Sequence, residues 1–355
     1  MSPLTIRTFH DVIFRVGSTW HDNGLYAEGR LIPSSKLNQR VSVPESIGFD
    51  DYSAVISEPV FYLGVLYSCW GNCITDNLKF LWPFLQLDKY PFLRDCKIVY
   101  SEVRLFGKPI PDNYLKILSM FGISLERLVP IRENTLLREC ILAEESYIQD
   151  PACDENLYTN EYRGVIDHIR ERCNAMIDQG EKLPKKVYFS RSRWHRWEYG
   201  ERSLEDVFAR AGYEIVWPEL LSLEKMVAML SHVKDFASTD GSCAHNSVFL
   251  PYGAAAVLIR KIDYKNKYQI AINKARNLDV TMVDANLSIV LYDDNDKLGG
   301  PFFVYPSRDL ENLLGVKGNF PVGEFIRYLC WSLTLHYGHL VGEAIRGMRK
   351  LLGRS

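Results

Sequence analysis

The sequence predicts an α/β protein built as two units, with parallel sheets carrying helices on their faces. Three observations lead there. The chain has 355 residues, more than one ordinary core organises and suited to two domains of about 150–200 residues. From residue 186 onward short apolar runs alternate with amphipathic stretches, the pattern of strand–helix–strand crossovers. Between the halves lies GEKLPKK (180–186), polar and bearing Gly and Pro, the composition of an interdomain linker. The expected division is 1–180, 181–325 and a C-terminal amphipathic helix over 326–355.

Each element has its own signal. HDNG (21–24) is a hairpin turn between apolar patches. EPVFYLGVLYS (58–68) is a continuous apolar run and reads as a buried strand. In CWGNCITDNLKFLWPFL, Gly71 marks a turn, and Ile74, Leu78 and Leu81 fall at helical spacing behind it. CKIVYSE (96–102) predicts a strand. IPDNYLKILSMFGI predicts a helix that Gly122 stops. LERLVPI and CILAEESYI alternate weakly and predict further strands. YTNEYRGVIDHIRERCNAMIDQ is amphipathic, with Tyr162, Val165, Ile166, Ile169, Cys173 and Ile177 on one face.

In the second half KVYFS, YEIVWP, DFAST and AAAVLIR read as strands. SLEDVFARAG reads as a helix with Ser203 as N-cap, Asp206 in the capping-box position and Gly212 as the stop. SLEKMVAMLSHV reads as a helix capped by Ser222. LSIVLY reads as a strand, and the Asp293–Asp296 run that follows it fits an acidic hairpin turn better than a metal site. The closing helix carries Arg346, Arg349, Lys350 and Arg354. It fits either a packed terminal helix or one resting peripherally on an anionic membrane.

Composition excludes several classes. A net charge of −2 leaves no global basic field, so nucleic acid is not an expected partner. No stretch approaches the roughly 18 apolar residues of a spanning helix. The N-terminus has no apolar leader core, and the eight scattered cysteines contain no CxxC pair, so a reducing cytoplasm is the expected compartment and no metal is assigned. No GxGxxG, Walker A, GxSxG or HExxH pattern occurs.

Three turns remain as candidate chemistry. In an open α/β sheet, ligands sit outside the carboxyl ends of strands. Ser190, Arg191, Arg193 and Arg196 follow KVYFS, and guanidinium forks suit a diphosphate. The same run also fits a basic solvated loop. Asp240, Gly241, Ser242 and Asn246 follow DFAST, where Gly permits close backbone approach and a helix start offers free N–H groups. His245 there fits a structural histidine, and Asp240 an N-cap. Trp70, Asn72 and Asp76 follow the buried strand of the first half. Trp beside polar groups suits a sugar ring, and Asp76 serves either as a general base or as compensation for a helix dipole.

Taken together, these residues resemble glycosyltransferase family 61, which includes bacterial capsule and lipopolysaccharide transferases. The resemblance spans roughly residues 10–260. It rests on Ser190-Arg191, Arg196, Glu201, Gly212-Tyr213, Gly241, Asn246 and Phe249-Leu250-Pro251, and in the first half on Asp76 with Trp82 behind it. Three positions depart from the family pattern. Asn72 stands where a His is usual four residues before the Asp. Gly200 replaces the Asn before Glu201. Asp240 replaces a His often found before the turn glycine, and adds a carboxylate where a diphosphate would approach.

The resemblance implies two Rossmann-like domains facing a cleft, the GT-B arrangement. It implies inverting transfer of a sugar from a nucleotide-diphosphate donor, UDP-sugar foremost, to a hydroxyl of a glycan or lipid-linked saccharide acceptor. Ser190, Arg191, Arg196, Glu201, Asp240, Gly241, Ser242 and Asn246 would hold the donor. Trp70 and Asn72 would meet the acceptor. Asp76, Asn72 and Arg191 would be catalytic, and no metal cofactor is required. A degenerate transferase that only binds nucleotide or glycan is the alternative, motivated by Asn72 and Asp240. A sugar-phosphate or kinase-like enzyme is a third reading, disfavoured by the missing P-loop.

Overall fold

A computed structural model describes residues 3–17, 23–36, 42–103, 109–150, 155–178, 180, 182–193, 198–262, 265–287 and 300–351. The first half contains β1 (Ile6–Arg15), β2 (Gly24–Ala27), β3 (Arg30–Leu31), β4 (Ala54–Ile56), β5 (Val60–Tyr67), α1 (Trp70–Thr75), β6 (Lys97–Val103), α2 (Asp112–Met120), β7 (Leu128–Pro130), β8 (Thr135–Ala143), β9 (Tyr147–Asp150), β10 (Glu155–Tyr158) and α3 (Asn160–Met176). The second contains β11 (Lys186–Phe189), β12 (Glu198–Tyr199), α4 (Glu201–Arg210), β13 (Glu214–Val216), α5 (Leu223–Leu230), β14 (Asp235–Thr239), β15 (Ala255–Arg260), α6 (Lys267–Arg276), β16 (Asp279–Asp284), β17 (Phe302–Phe303), α7 (Arg308–Leu314) and α8 (Val322–Leu351).

The α/β class holds, with one refinement. The second-half sheet runs β13-β11-β14-β15-β16 and is parallel throughout, as strand–helix alternation requires. The first-half sheet runs β3-β2-β1-β8-β5-β6-β7, with β4 on β8. Its β5, β6, β7 and β8 are parallel, whereas β1, β2 and β3 join antiparallel. Strands β1 and β2 pair antiparallel from Val12 with Ala27 to Arg15 with Gly24, and residues 18–22 between them lie outside the described set. Strand β5 is buried along seven of its eight residues, which explains its unbroken apolar sequence.

Several local expectations shift. The helix expected from Ile74 to Leu81 is broken: α1 ends at Thr75, and 3-10 turns follow over 77–80 and 82–85. The cause is local. Asn77 Nδ2 donates to Val65 O at 2.7 Å and its Oδ1 accepts from Tyr67 N at 3.3 Å, tying the chain back onto β5. Pro83 then lacks a helical donor. Gly71 lies within α1 rather than in a turn before it.

Helix α4 starts two residues before the expected cap. Gly200 is its N-cap at φ +89°, and Ser203 Oγ donates to Gly200 O at 2.6 Å. Gly200 N donates to a Glu324 carboxylate of α8. Thr159 and Ser222 cap α3 and α5, and their side chains accept from Tyr162 N and Lys225 N. LSIVLY and the Asp293–Asp296 run fall almost wholly outside the described residues.

One apolar core joins the halves. Tyr162, Val165, Ile166, Ile169 and Cys173 of α3 share a cluster with Phe61 and Leu63 of β5 and with Val227 and Phe236 of the second half. A second cluster, containing Tyr188, Leu204, Phe208 and Leu310, fills the other face of the parallel sheet. Among the described residues no helix is long and apolar enough to cross a membrane.

Gly200 yields a direct check. A Cβ there would sit 1.7 Å from Val304 O, and its φ disfavours any other residue. Gly200→Ala is expected to cost at least about 2 kcal/mol in denaturant unfolding, with an unchanged m-value.

Candidate active site

The parallel sheet sends three strand ends to one edge. Arg191 follows β11, the Asp240–Ser242 turn follows β14, and Lys261 follows β15. A single buried carboxylate ties two of them together: Glu198 accepts from Arg191 Nε through Oε2, and from Lys261 Nζ at 2.8 Å through Oε1. The Lys261 ammonium also lies 3.5 Å from the point where a Gly241 Cβ would stand. Lys261 therefore flanks the Gly241 turn, and Glu198 holds it together with Arg191 at this edge. Gly241 has φ +118°, a conformation open to glycine and poorly tolerated elsewhere.

The departure at Asp240 has a structural use. Its Oδ1 accepts from Gly241 N at 2.7 Å and from Asn266 Nδ2 at 2.9 Å. The carboxylate holds its own turn and α6, whose N-cap is Asn266. The backbone donor expected from Gly241 is thus already engaged. A 3-10 turn, Ala244–Phe249, stands where a helix start was expected.

The turn of the first half closes onto this edge. The Trp70 indole Nε1–H donates to Asn246 Oδ1 at 2.9 Å. A Cβ on Gly71 would meet Ser242 Oγ at 2.6 Å and Ser242 Cβ at 3.1 Å, with His245 Nδ1 at 3.3 Å, so any larger residue would require the Ser242 side chain to turn away and its Cβ to give way. Asn246 Nδ2 donates to Cys243 O at 2.9 Å. Both ends of the Asn246 amide are therefore spent inside the protein, and it bridges the two turns. His245 is buried, which pulls its imidazole down to about 4, so it is neutral at pH 7. Its Nδ1 has no hydrogen-bond partner.

Asp76 is fully buried. It ends α1, and its side chain makes no cap bond. Dipole compensation therefore does not account for it, since a helix C-terminus disfavours negative charge. Its Oδ2 accepts from Asn72 Nδ2 at 2.9 Å and from Thr75 Oγ1 at 3.2 Å. Its Oδ1 has no partner. Burial pushes its pKa up to about 6, against the pull of nearby Lys79 and of the two hydrogen bonds. Lys79 is itself buried and paired with Glu145 at 2.6 Å. The result is a carboxylate ionised at neutral pH, with one free oxygen and a proton affinity well above that of an exposed Asp. Asn72 orients it.

Two expected residues face elsewhere. Ser190 is buried and donates to Glu205 Oε1 at 2.6 Å, in a cluster with Ser192 and Trp217. Glu201 is buried under Tyr188, whose hydroxyl donates to its Oε2. Burial and the neighbouring Glu198 raise the Glu201 pKa to about 7. Arg196 lies outside the described residues. Among the described residues no group of three His, Cys, Asp or Glu side chains is set to hold a metal ion.

A family model described as glycosyltransferase 61 matches residues 32–257. The chain belongs to glycosyltransferase family 61. The matched region takes in Trp70, Asp76, Arg191, Gly241 and Asn246, and so both contacting turns. No curated protein matches the chain. Reading the sequence missed Glu198, Lys261 and Lys79 of this family member. The strand-end rule that selects Arg191 and Gly241 applies equally to Lys261. Glu198, two residues past the arginine run, had a charge signal. Lys79 had none, because its burial is purely tertiary.

The raised Asp76 pKa has a defined sign. The folded state holds the proton more tightly than the unfolded chain, so ionisation costs stability as pH rises from about 4 through about 6. Asp76→Asn removes that cost. The variant should be more stable than the parent at pH 7.5, by up to about 3 kcal/mol, with the gain shrinking towards pH 4. Thermal unfolding at the two pH values checks this.

Proposed function

We propose that this chain is an inverting glycosyltransferase that moves a sugar from a nucleotide-diphosphate donor, UDP-sugar foremost, to a hydroxyl of a glycan or lipid-linked saccharide. The observation that carries the reading is the contact between the two turns: Trp70 bonded to Asn246, with Gly71 against Ser242. It sets a partly free buried carboxylate and a two-cation sheet edge in one region. The direction of stereochemistry comes from the family resemblance. The units 1–180 and 181–325 would act as acceptor and donor domains of a GT-B arrangement, with 326–355 as a closing helix that touches the membrane face peripherally from the cytoplasm. Surface polysaccharide synthesis is the setting.

In this reading Arg191 and Lys261 meet the diphosphate, and their charge stabilises the negative charge that builds on it. Arg196 and Ser242 complete the donor contacts beside the Gly241 turn, whose own backbone N–H is held by Asp240. Ser190, Glu201, Asp240 and Asn246 shape the donor site from behind, through the bonds described above. Trp70 offers its ring to the acceptor. The acceptor oxygen attacks the anomeric carbon and its proton passes to Asp76 Oδ1. The bond from that carbon to the diphosphate oxygen breaks, and the nucleoside diphosphate leaves with the electron pair. No metal is needed, since two cations already face the leaving group.

The burial of Asp76 favours a second reading, a binding module without turnover, because an acceptor must open the first-half turn to reach the carboxylate. Asp76→Asn separates the two. As an enzyme, the variant should lose at least about 100-fold in turnover and keep its nucleotide affinity by calorimetry. A protein without turnover in either form supports the binding module. For the enzyme, kcat/KM should fall about tenfold per pH unit below about 6 as Asp76 protonates.

A further inference from the structure

A second polar cleft lies away from these turns. It encloses about 390 Å³ between α3, the C-terminal end of α6 and Tyr252. Tyr252 stands just before β15, whereas the Gly241 turn follows β14. In a parallel sheet these are opposite edges, so the cleft is separated from the donor edge by a strand length, about 20 Å.

Its walls have a consistent chemistry. Arg163, Asp167, Arg170 and Glu171 lie at i, i+4, i+7 and i+8 on α3, on the polar face beside its apolar stripe. Arg276 of α6 is almost fully buried. Its Nη1 and Arg170 Nη1 both donate to the same oxygen, Asp167 Oδ1, at 2.9 Å. One carboxylate is thus shared by two guanidinium groups. Arg163 donates through Nη1 to the neutral Asn160 Oδ1 at 3.0 Å. The crowding registers on Arg276: burial lowers its pKa, Asp167 opposes that, and Arg170 and Arg163 lower it further. Three cations against two carboxylates leave the cleft electropositive. At its rim Tyr252 is 68% exposed.

We propose that this cleft holds an acidic saccharide chain, with sugar rings against Tyr252 and acid groups on Arg163 and Arg170. The two arginines are seven residues apart on α3, about 10 Å along its axis. A compact anion such as a single phosphate reaches one of them, whereas an extended polyanion reaches both. The mixture of guanidinium and carboxylate groups matches a ligand that offers hydroxyls as well as acids. An exposed aromatic residue adds a face for sugar C–H groups. The ligand class rests on the glycosyltransferase reading. The site would grip a part of the acceptor remote from the growing end, and so raise affinity for long acceptors through a second attachment point.

Calorimetry with hexagalacturonate, maltohexaose and inorganic phosphate tests this on the full chain. Hexagalacturonate should bind, weaken as salt rises, and lose at least about tenfold in affinity in Arg163→Gln and again in Tyr252→Ala. Maltohexaose and phosphate should bind at least about tenfold more weakly. Nucleotide affinity in both variants should equal that of the parent, which also shows that they are folded. Equal binding of maltohexaose, no binding of hexagalacturonate, or full affinity in both variants would overturn the proposal. Because nucleotide binding is read separately, a lost donor site with an intact hexagalacturonate site faults only the proposed function, and the reverse faults only this cleft.

Discussion

The close approach of Gly71 to Ser242 is the constraint on which the site depends. A Cβ at residue 71 would stand 2.6 Å from the Ser242 oxygen and 3.1 Å from its Cβ, so glycine lets the first helical turn after β5 abut the turn after β14 without displacing the Ser242 side chain. The Trp70–Asn246 bond then fixes the orientation of that turn. A buried amide that loses its partner costs about 1–3 kcal/mol, so the bond is a strong specifier of register. The continuous core through α3 holds the two sheets in place behind it, and the contact turns two sheet ends into one region.

Charge at the site follows one logic. Each cation at this sheet edge is held by a carboxylate that is itself engaged, and Glu198 serves Arg191 and Lys261 at once. Asp240 is hydrogen-bonded to its own turn and to Asn266 rather than aimed outward. Asp76 is treated differently, buried with one oxygen unpartnered. Such a group is unfavourable for folding and useful for proton transfer, the trade expected where stability yields to chemistry. The remote arginine cleft repeats the device of a shared carboxylate, with Asp167 between Arg170 and Arg276.

Much of this was legible in the residues. The strand-end rule selected Trp70, Asp76, Arg191 and Gly241 from sequence alone, because strand ends are set by local apolar runs. The parallel order of the second sheet followed from its alternation for the same reason. The rest depended on tertiary choices. The helix after β5 broke because the Asn77 side chain took backbone partners on β5, which no periodicity reveals. The start of α4 moved because Gly200 sits against Val304 and Glu324, more than 100 residues away in sequence. Asn246, expected at the donor, also bridges the two turns through Trp70 and Cys243. A side chain's type suggests its chemistry, and only its partners decide whether that chemistry is free to act.

The central claim is that the sheet edge around Gly241 holds a nucleoside diphosphate. Thermal unfolding with UDP, GDP, ADP, CDP and CMP in turn tests it most directly. A ligand at 100 times its Kd stabilises the folded chain by about 2.7 kcal/mol. The account predicts a rise in Tm with one of the diphosphates, abolished in Arg191→Ala. No rise with any nucleotide, or a rise unchanged in Arg191→Ala, would contradict it.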